Sequence, residues 1–109
     1  METSEIFDNF KNLENYFDTN DCGVVFEFRR DTSAKFKYPE YIIYVEVNSG
    51  IYEFEWTKKP DRCNKLYDIA INRNTIFPNE ININEDFFDK FKNYLIYLST
   101  IKSYNDYIG

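Results

Sequence analysis

Residues 45–57 read VEVNSGIYEFEWT, two runs of alternating apolar and acidic residues on either side of Asn48-Ser49-Gly50. Period-two alternation is the mark of a half-buried strand, and an Asn/Ser/Gly cluster between two such runs marks a hairpin. The stretch 41–48 leads into it, so two strands, 41–48 and 51–57, form the strongest β signal in the chain. With Ser49-Gly50 as a two-residue turn, Val47 faces Tyr52, Val45 faces Phe54 and Ile43 faces Trp56, and Tyr41 joins them on one side. The other side then holds Ile42, Tyr44 and Glu46 opposite Thr57, Glu55 and Glu53. A three-residue loop would instead set Val45 against Glu53 and mix the two faces, because a one-residue slip turns every side chain over. The two-residue turn therefore predicts Glu46 and Glu53 as direct cross-strand neighbours, with Glu55 diagonal to Glu46.

Working outward, the period changes on both sides. Ile6, Phe10, Leu13 and Phe17 recur at helical spacing, with Asp8, Lys11, Asn12, Asn15 and Asp18 on the opposite side. Thr3 or Ser4 can cap this helix, Glu5 complements its first turn, and Asn20-Asp21 with Gly23 end it. From Cys22 the pattern becomes a strand, Val24, Phe26 and Phe28 alternating with Val25, Glu27 and Arg29. Residues 31–40 alternate more weakly, Ala34, Phe36 and Tyr38 against Lys35 and Lys37, before Pro39. Beyond Lys58-Lys59-Pro60-Asp61, residues 62–72 fit both periods and are read as a short strand at 66–72. Residues 73–83, with Pro78 and several Asn, read as a loop. Asn84 is a good cap for a second helix, with Ile83 and Phe88 as a hydrophobic staple. Its buried stripe is expected to be Phe87, Phe91, Tyr94, Leu98 and Ile101, with Leu95 beside it.

The order α-β-β-β-(β)-α predicts a single α+β domain over 1–109. Its antiparallel sheet of three to four strands carries the N-terminal and C-terminal helices on one face. The 109 residues, one fifth of them aromatic, supply core material for one domain. Cys22 and Cys63 stand far apart without metal-ligand spacing and read as reduced, partly buried small hydrophobes. The longest apolar run, Tyr41–Val45, is far short of a membrane span, and the acidic start Met-Glu-Thr-Ser-Glu is unlike a basic targeting signal. A cytoplasmic location is expected.

Charge and missing residues narrow the chemistry. The formal net charge is −6, and residues 1–21 alone hold Glu2, Glu5, Asp8, Glu14, Asp18 and Asp21 against Lys11. This balance disfavours nucleic acid and anionic membrane and favours a basic protein partner. Histidine is absent, which removes the commonest general base and every Ser-His or Cys-His nucleophile. The glycines stand singly at 23, 50 and 109, so no phosphate-cradling loop is present, and no zinc, EF-hand or zincin pattern occurs. No catalytic residue, metal or cofactor is assigned, and the chain reads as a non-enzyme.

The candidate partner-binding residues are Glu46, Glu53, Glu55, Tyr44 and Glu27 on the sheet, and Asp8, Glu14 and Asp18 on the first helix. Ile96, Tyr97 and Tyr104 fall off the core stripe of the second helix and complete the set. Each group also has a plain reading: strand glutamates keep a sheet soluble, helix acids form a solvated face, and the aromatics are lidded by neighbouring structure. Three functions remain in view. One is an acidic inhibitor, monomeric or weakly dimeric, that blocks the basic nucleic-acid-binding surface of a nuclease or defence complex. Anti-CRISPR proteins and other phage or mobile-element accessories exemplify that class, and abundant Asn, Ile, Lys and Tyr suggest AT-rich coding DNA common in such elements. The second is an immunity protein or antitoxin that neutralises a cognate toxin. The third is a small enzyme or ligand-binding domain with a site in the seam between sheet and helices.

Overall fold

The computed structural model describes residues 1–33, 35, 37–70 and 77–101. Helix α1 spans Thr3–Thr19, and strands β1 (Val24–Arg30), β2 (Glu40–Val47), β3 (Gly50–Thr57), β4 (Lys65–Asp68) and β5 (Glu80–Asn82) precede helix α2 (Phe87–Thr100). The strands form one antiparallel sheet in the order β1-β2-β3-β4-β5. Both helices pack on the same face, chiefly against β1 and β2. The α+β reading and its order hold, with a fifth strand added.

The β2–β3 hairpin differs from expectation in its turn. Val47 pairs with Gly50, so Asn48-Ser49 is the two-residue turn. Both residues have positive φ, 49° and 64°, as the favoured hairpin turn requires. Gly50, expected within the turn, opens β3 instead. Its lack of a side chain is needed there for packing: a Cβ would lie 2.9 Å from the Tyr52 hydroxyl oxygen. Asn48 tolerates the left-handed region well, and its amide donates to the Leu98 carbonyl of α2, which ties the turn to the helix.

The register consequently moves by two residues. The faces are preserved, because side-chain period is two, but the partners change. Tyr41 meets Trp56, Ile43 meets Phe54 and Val45 meets Tyr52. Under them α1 buries Ile6, Phe10, Leu13 and Phe17, as the spacing predicts. Phe10 stacks on Phe28 at 5.3 Å, Phe28 on Tyr41 at 4.7 Å, and the fully buried Trp56 lies 5.5 Å from Tyr41. The Trp56 indole N–H donates to the Cys63 carbonyl at 2.6 Å, so the turn after β3 satisfies the one polar atom the ring takes inside.

Other boundaries move for local reasons. Thr3 and Ser4 do not cap α1: Ile6 N–H reaches the Glu2 carbonyl at 3.1 Å, which draws both residues into the first turn. The Asn20 amide and N–H both bond the Tyr16 carbonyl and close the helix, and Gly23 follows at φ 80°. Ala34 and Phe36 of the weak 31–40 alternation lie outside the described residues, as do 71 and 72 of the expected 66–72 strand. β4 ends at Asp68, whose N–H turns to the Asn79 carbonyl. Within the expected loop 73–83, Glu80–Asn82 pairs with β4 as β5, a strand that low β propensity concealed and tertiary pairing imposed.

Helix α2 begins two residues later than an Asn84 cap would place it. Asn84 caps a preceding turn instead, its side-chain oxygen accepting Asp86 N–H at 3.1 Å and its carbonyl accepting Phe87 N–H at 3.1 Å. The buried stripe is Phe87, Phe88, Phe91 and Leu95. Tyr94 and Ile101 do not belong to it. Tyr94 stays at the boundary, 37% exposed and edge-on to Phe77; Ile101 follows the helix end, and Leu98 is half-buried. Cys22 is half-buried and Cys63 buried, and both are free thiols.

The turn yields a stability test. Ser49 occupies the left-handed region at the cost a side chain carries there. Ser49→Gly should stabilise the fold by about 0.5–1 kcal/mol. The expected readout is a higher urea midpoint with an unchanged denaturant slope.

Candidate protein-binding face

The face of the sheet away from the helices is built by strand alternation. Phe26, Phe28, Ile43, Val45, Phe54 and Trp56 point inward, so the residues between them point outward. Register then sets the outward residues in rows across the strands. Val25 of β1 sits beside Glu46 of β2 and Ile51 of β3; Glu27 beside Tyr44 and Glu53; Arg29 beside Ile42, Glu55, Tyr67 and Glu80. No described element covers this face, where Val25 and Ile51 are 44% and 47% exposed.

The expected direct contact of Glu46 with Glu53 is therefore replaced. Glu46 stands opposite Ile51, Glu53 opposite Tyr44, and Glu55 opposite Ile42. The two-residue shift interleaves carboxylates with apolar and aromatic groups, which relieves the repulsion that direct pairing would impose. Glu46 and Glu53 remain diagonal neighbours. The Tyr44 hydroxyl donates to Glu46 at 3.2 Å; its pKa is raised by burial and by that bond to a carboxylate. Glu27 is paired with Arg29, whose guanidinium lies 4.9 Å from the Tyr44 ring centre. Among the described residues, Glu46, Glu53 and Glu55 have no ion-pair partner.

The other candidates are placed elsewhere. Asp8 and Asp18 are exposed on α1, which lies across the opposite face. Glu14 is committed to the fold: its carboxylate accepts Phe28 N–H at 2.7 Å on the free edge of β1 and pairs with Lys11 at 3.2 Å. Ile96 packs half-buried against the core, and Tyr97 is 53% exposed beside Tyr94, their rings stacked at 6.2 Å. Tyr104 lies outside the described residues. The structure thus gathers Glu27, Tyr44, Glu46, Glu53 and Glu55 and leaves the helix residues apart from them.

Sequence reasoning missed the far end of this face. There a cleft of about 830 Å³ is lined by Asp31, Glu40, Glu55, Lys37, Lys59 and Arg62, among others. Burial raises the Glu40 pKa, and nearby Glu55 and Asp31 raise it further while Arg62 opposes them. Arg62 lies 4.8 Å from the Tyr67 ring centre and is held charged chiefly by its hydrogen bond with Tyr67. Its lining comes from the stretch before β2 and the connection after β3, and no local pattern in the sequence brings those two segments together. A second, apolar groove of about 310 Å³ lies between α2 and the segment before it, bordered by Phe77, Ile81, Phe87, Phe91 and Tyr94.

Among the described residues no group of three His, Cys, Asp or Glu is placed to hold a metal ion, and no helix is long and apolar enough to cross a membrane. No protein family, curated protein or solved structure matches the chain.

Two substitutions test these placements. Glu14→Ala should cost about 1 kcal/mol by leaving the Phe28 N–H without its acceptor, whereas Asp18→Ala should change stability by less than about 0.5 kcal/mol; denaturant titration compares them. Glu40 has a folded-state pKa above its unfolded value, so its ionisation opposes folding. The stability linked to its proton is full at acid pH and is lost as pH rises through the folded pKa. Glu40→Gln should therefore raise the melting temperature at neutral pH, and the gain should vanish below the ordinary carboxylate range.

Proposed function

We propose that this chain is a non-enzymatic, cytoplasmic inhibitor whose open sheet face covers the basic, nucleic-acid-binding surface of a nuclease or defence complex, as anti-CRISPR and related mobile-element proteins do. The observation that carries this reading is a set of carboxylates, Glu46, Glu53 and Glu55, that have no ion-pair partner among the described residues and lie on a face no described element covers. Along the open strands Glu27, Glu46, Glu53, Glu55 and Glu80 outnumber Arg29 and Lys65, while at the far end Lys37, Lys59 and Arg62 balance Asp31 and Glu40; exposed Val25 and Ile51 add apolar contact area beside the strand carboxylates. Charge of this sign repels phosphate and steers a basic surface into place. An immunity protein would present the same kind of surface to its toxin, and the identity of the captured partner separates the two.

A second reading, a small enzyme or ligand-binding domain, is favoured by the cleft in which Glu40 titrates high. The cleft opens at the end of the sheet, outside the seam between sheet and helices, where Ile43, Phe54, Trp56 and Leu95 fill the interior.

The test is affinity capture from the source cell, with partners identified by mass spectrometry and affinities then measured. Replacing Glu46, Glu53 and Glu55 together by Lys should leave the fold intact and weaken binding about tenfold or more. Wild-type binding should also weaken as ionic strength rises, because exposed charges are screened. Unchanged affinity in the triple variant removes this face from the interface, and salt-insensitive binding points to the Tyr94–Tyr97 side of α2.

A further inference from the structure

The acidic rows of the open face are interrupted by a cation of the chain itself. Arg29 stands two residues along β1 from Glu27, in the row of Ile42 and Glu55. Its guanidinium is ion-paired with Glu27 and lies 4.9 Å from the centre of the Tyr44 ring. The Tyr44 hydroxyl in turn donates to Glu46 at 3.2 Å, and Glu53 stands across the strand from Tyr44. One guanidinium thus sits among the acidic rows, against a carboxylate and a ring, as a cation of a docking protein would.

Two features show that the fold does not depend on this contact. The side chains are 55% exposed for Arg29 and 43% for Glu27, so water screens the pair. The contact also ties no distant elements together: Glu27 is on the same strand as Arg29, and Tyr44 is on β2, which the sheet already joins to β1. Glu14 is the contrast, since its carboxylate fastens α1 to the β1 edge.

We infer that Arg29 is an internal competitor for the basic partner: it holds Glu27 and the Tyr44 ring in the free protein, and docking displaces it. The inference rests on the open face being the docking surface. While in place, Arg29 repels each incoming cation and keeps Glu27 neutralised. Displacing it takes little, because an exposed ion pair and an exposed cation–ring contact are each weak. The contact therefore lowers affinity for every basic protein without weakening the fold. A partner with a dense basic surface overcomes it, and one with few cations is refused.

The full chain is titrated at low salt with a lysine homopeptide of about eight residues, as wild type, Arg29→Gln and Arg30→Gln. The two variants remove the same charge from adjacent positions, and strand alternation turns Arg30 to the other side. Arg29→Gln should bind about three- to tenfold tighter, with an unchanged urea midpoint, and Arg30→Gln less than about twofold tighter. In the wild type, the Arg29 Nε–H resonance should shift on saturation with the peptide. Equal tightening by the two variants, a stationary Arg29 resonance at saturation, or a lowered midpoint in Arg29→Gln overturns the competitor and leaves the docking face standing. Peptide binding that survives joint Glu46→Lys, Glu53→Lys and Glu55→Lys, or no binding at all, overturns both.

Discussion

The pairing of β2 with β3 is the constraint on which the rest of the molecule depends. Its register brings Tyr41 opposite Trp56 and Ile43 opposite Phe54. Those side chains make the floor on which Phe10 and Phe17 of α1 and Phe91 of α2 pack through Phe26, Phe28 and Phe54. A slip by one residue would turn the aromatic floor into solvent and bring the glutamates under the helices, at a cost no surface interaction could repay. A slip by two keeps the inside in and changes only which residues face one another. Which of the two-step alternatives is adopted is decided by packing around Tyr52, Gly50 and the turn.

That second decision shapes the outward face. In the observed register each carboxylate has an apolar or aromatic neighbour across the strand, so Glu46, Glu53 and Glu55 are spread through Ile51, Tyr44 and Ile42. Such a mixture lowers self-repulsion in the free protein and sets apolar area beside each charge. Both properties suit contact with long cationic side chains, whose aliphatic stems need cover as much as their heads need carboxylate. The same interleaving sets the guanidinium groups of Arg29 and Arg62 over the rings of Tyr44 and Tyr67.

Much of this architecture was legible in the residues. The α1 stripe is written in Ile6, Phe10, Leu13 and Phe17, and the inward set of β1 in Val24, Phe26 and Phe28, because a single buried face imposes its period directly. β5 was not legible: a single Ile81 between the poor strand formers Glu80 and Asn82 is too short a pattern to read, and β4 recruits the three through backbone pairing. The role of Glu14 was hidden for a related reason. Its helix position marks it as surface, and only the arrival of the β1 edge turns its carboxylate into the acceptor for Phe28 N–H. Tyr94 failed as a core residue because helical spacing does not say which edge of a stripe stays wet.

By itself, the sequence determined the order of the two helices and the strands before β5, the identity of the sheet's inner face and the presence of an acidic, histidine-free outer one. These follow from local periodicity and composition, which any chain carries without reference to its fold. Only the tertiary structure decided the turn at Asn48-Ser49, the fifth strand, the cleft around Glu40 and the seating of Arg62 on Tyr67. Each depends on contacts between residues distant in the chain, or on a register whose alternatives leave the same side chains buried, and local pattern does not distinguish among them.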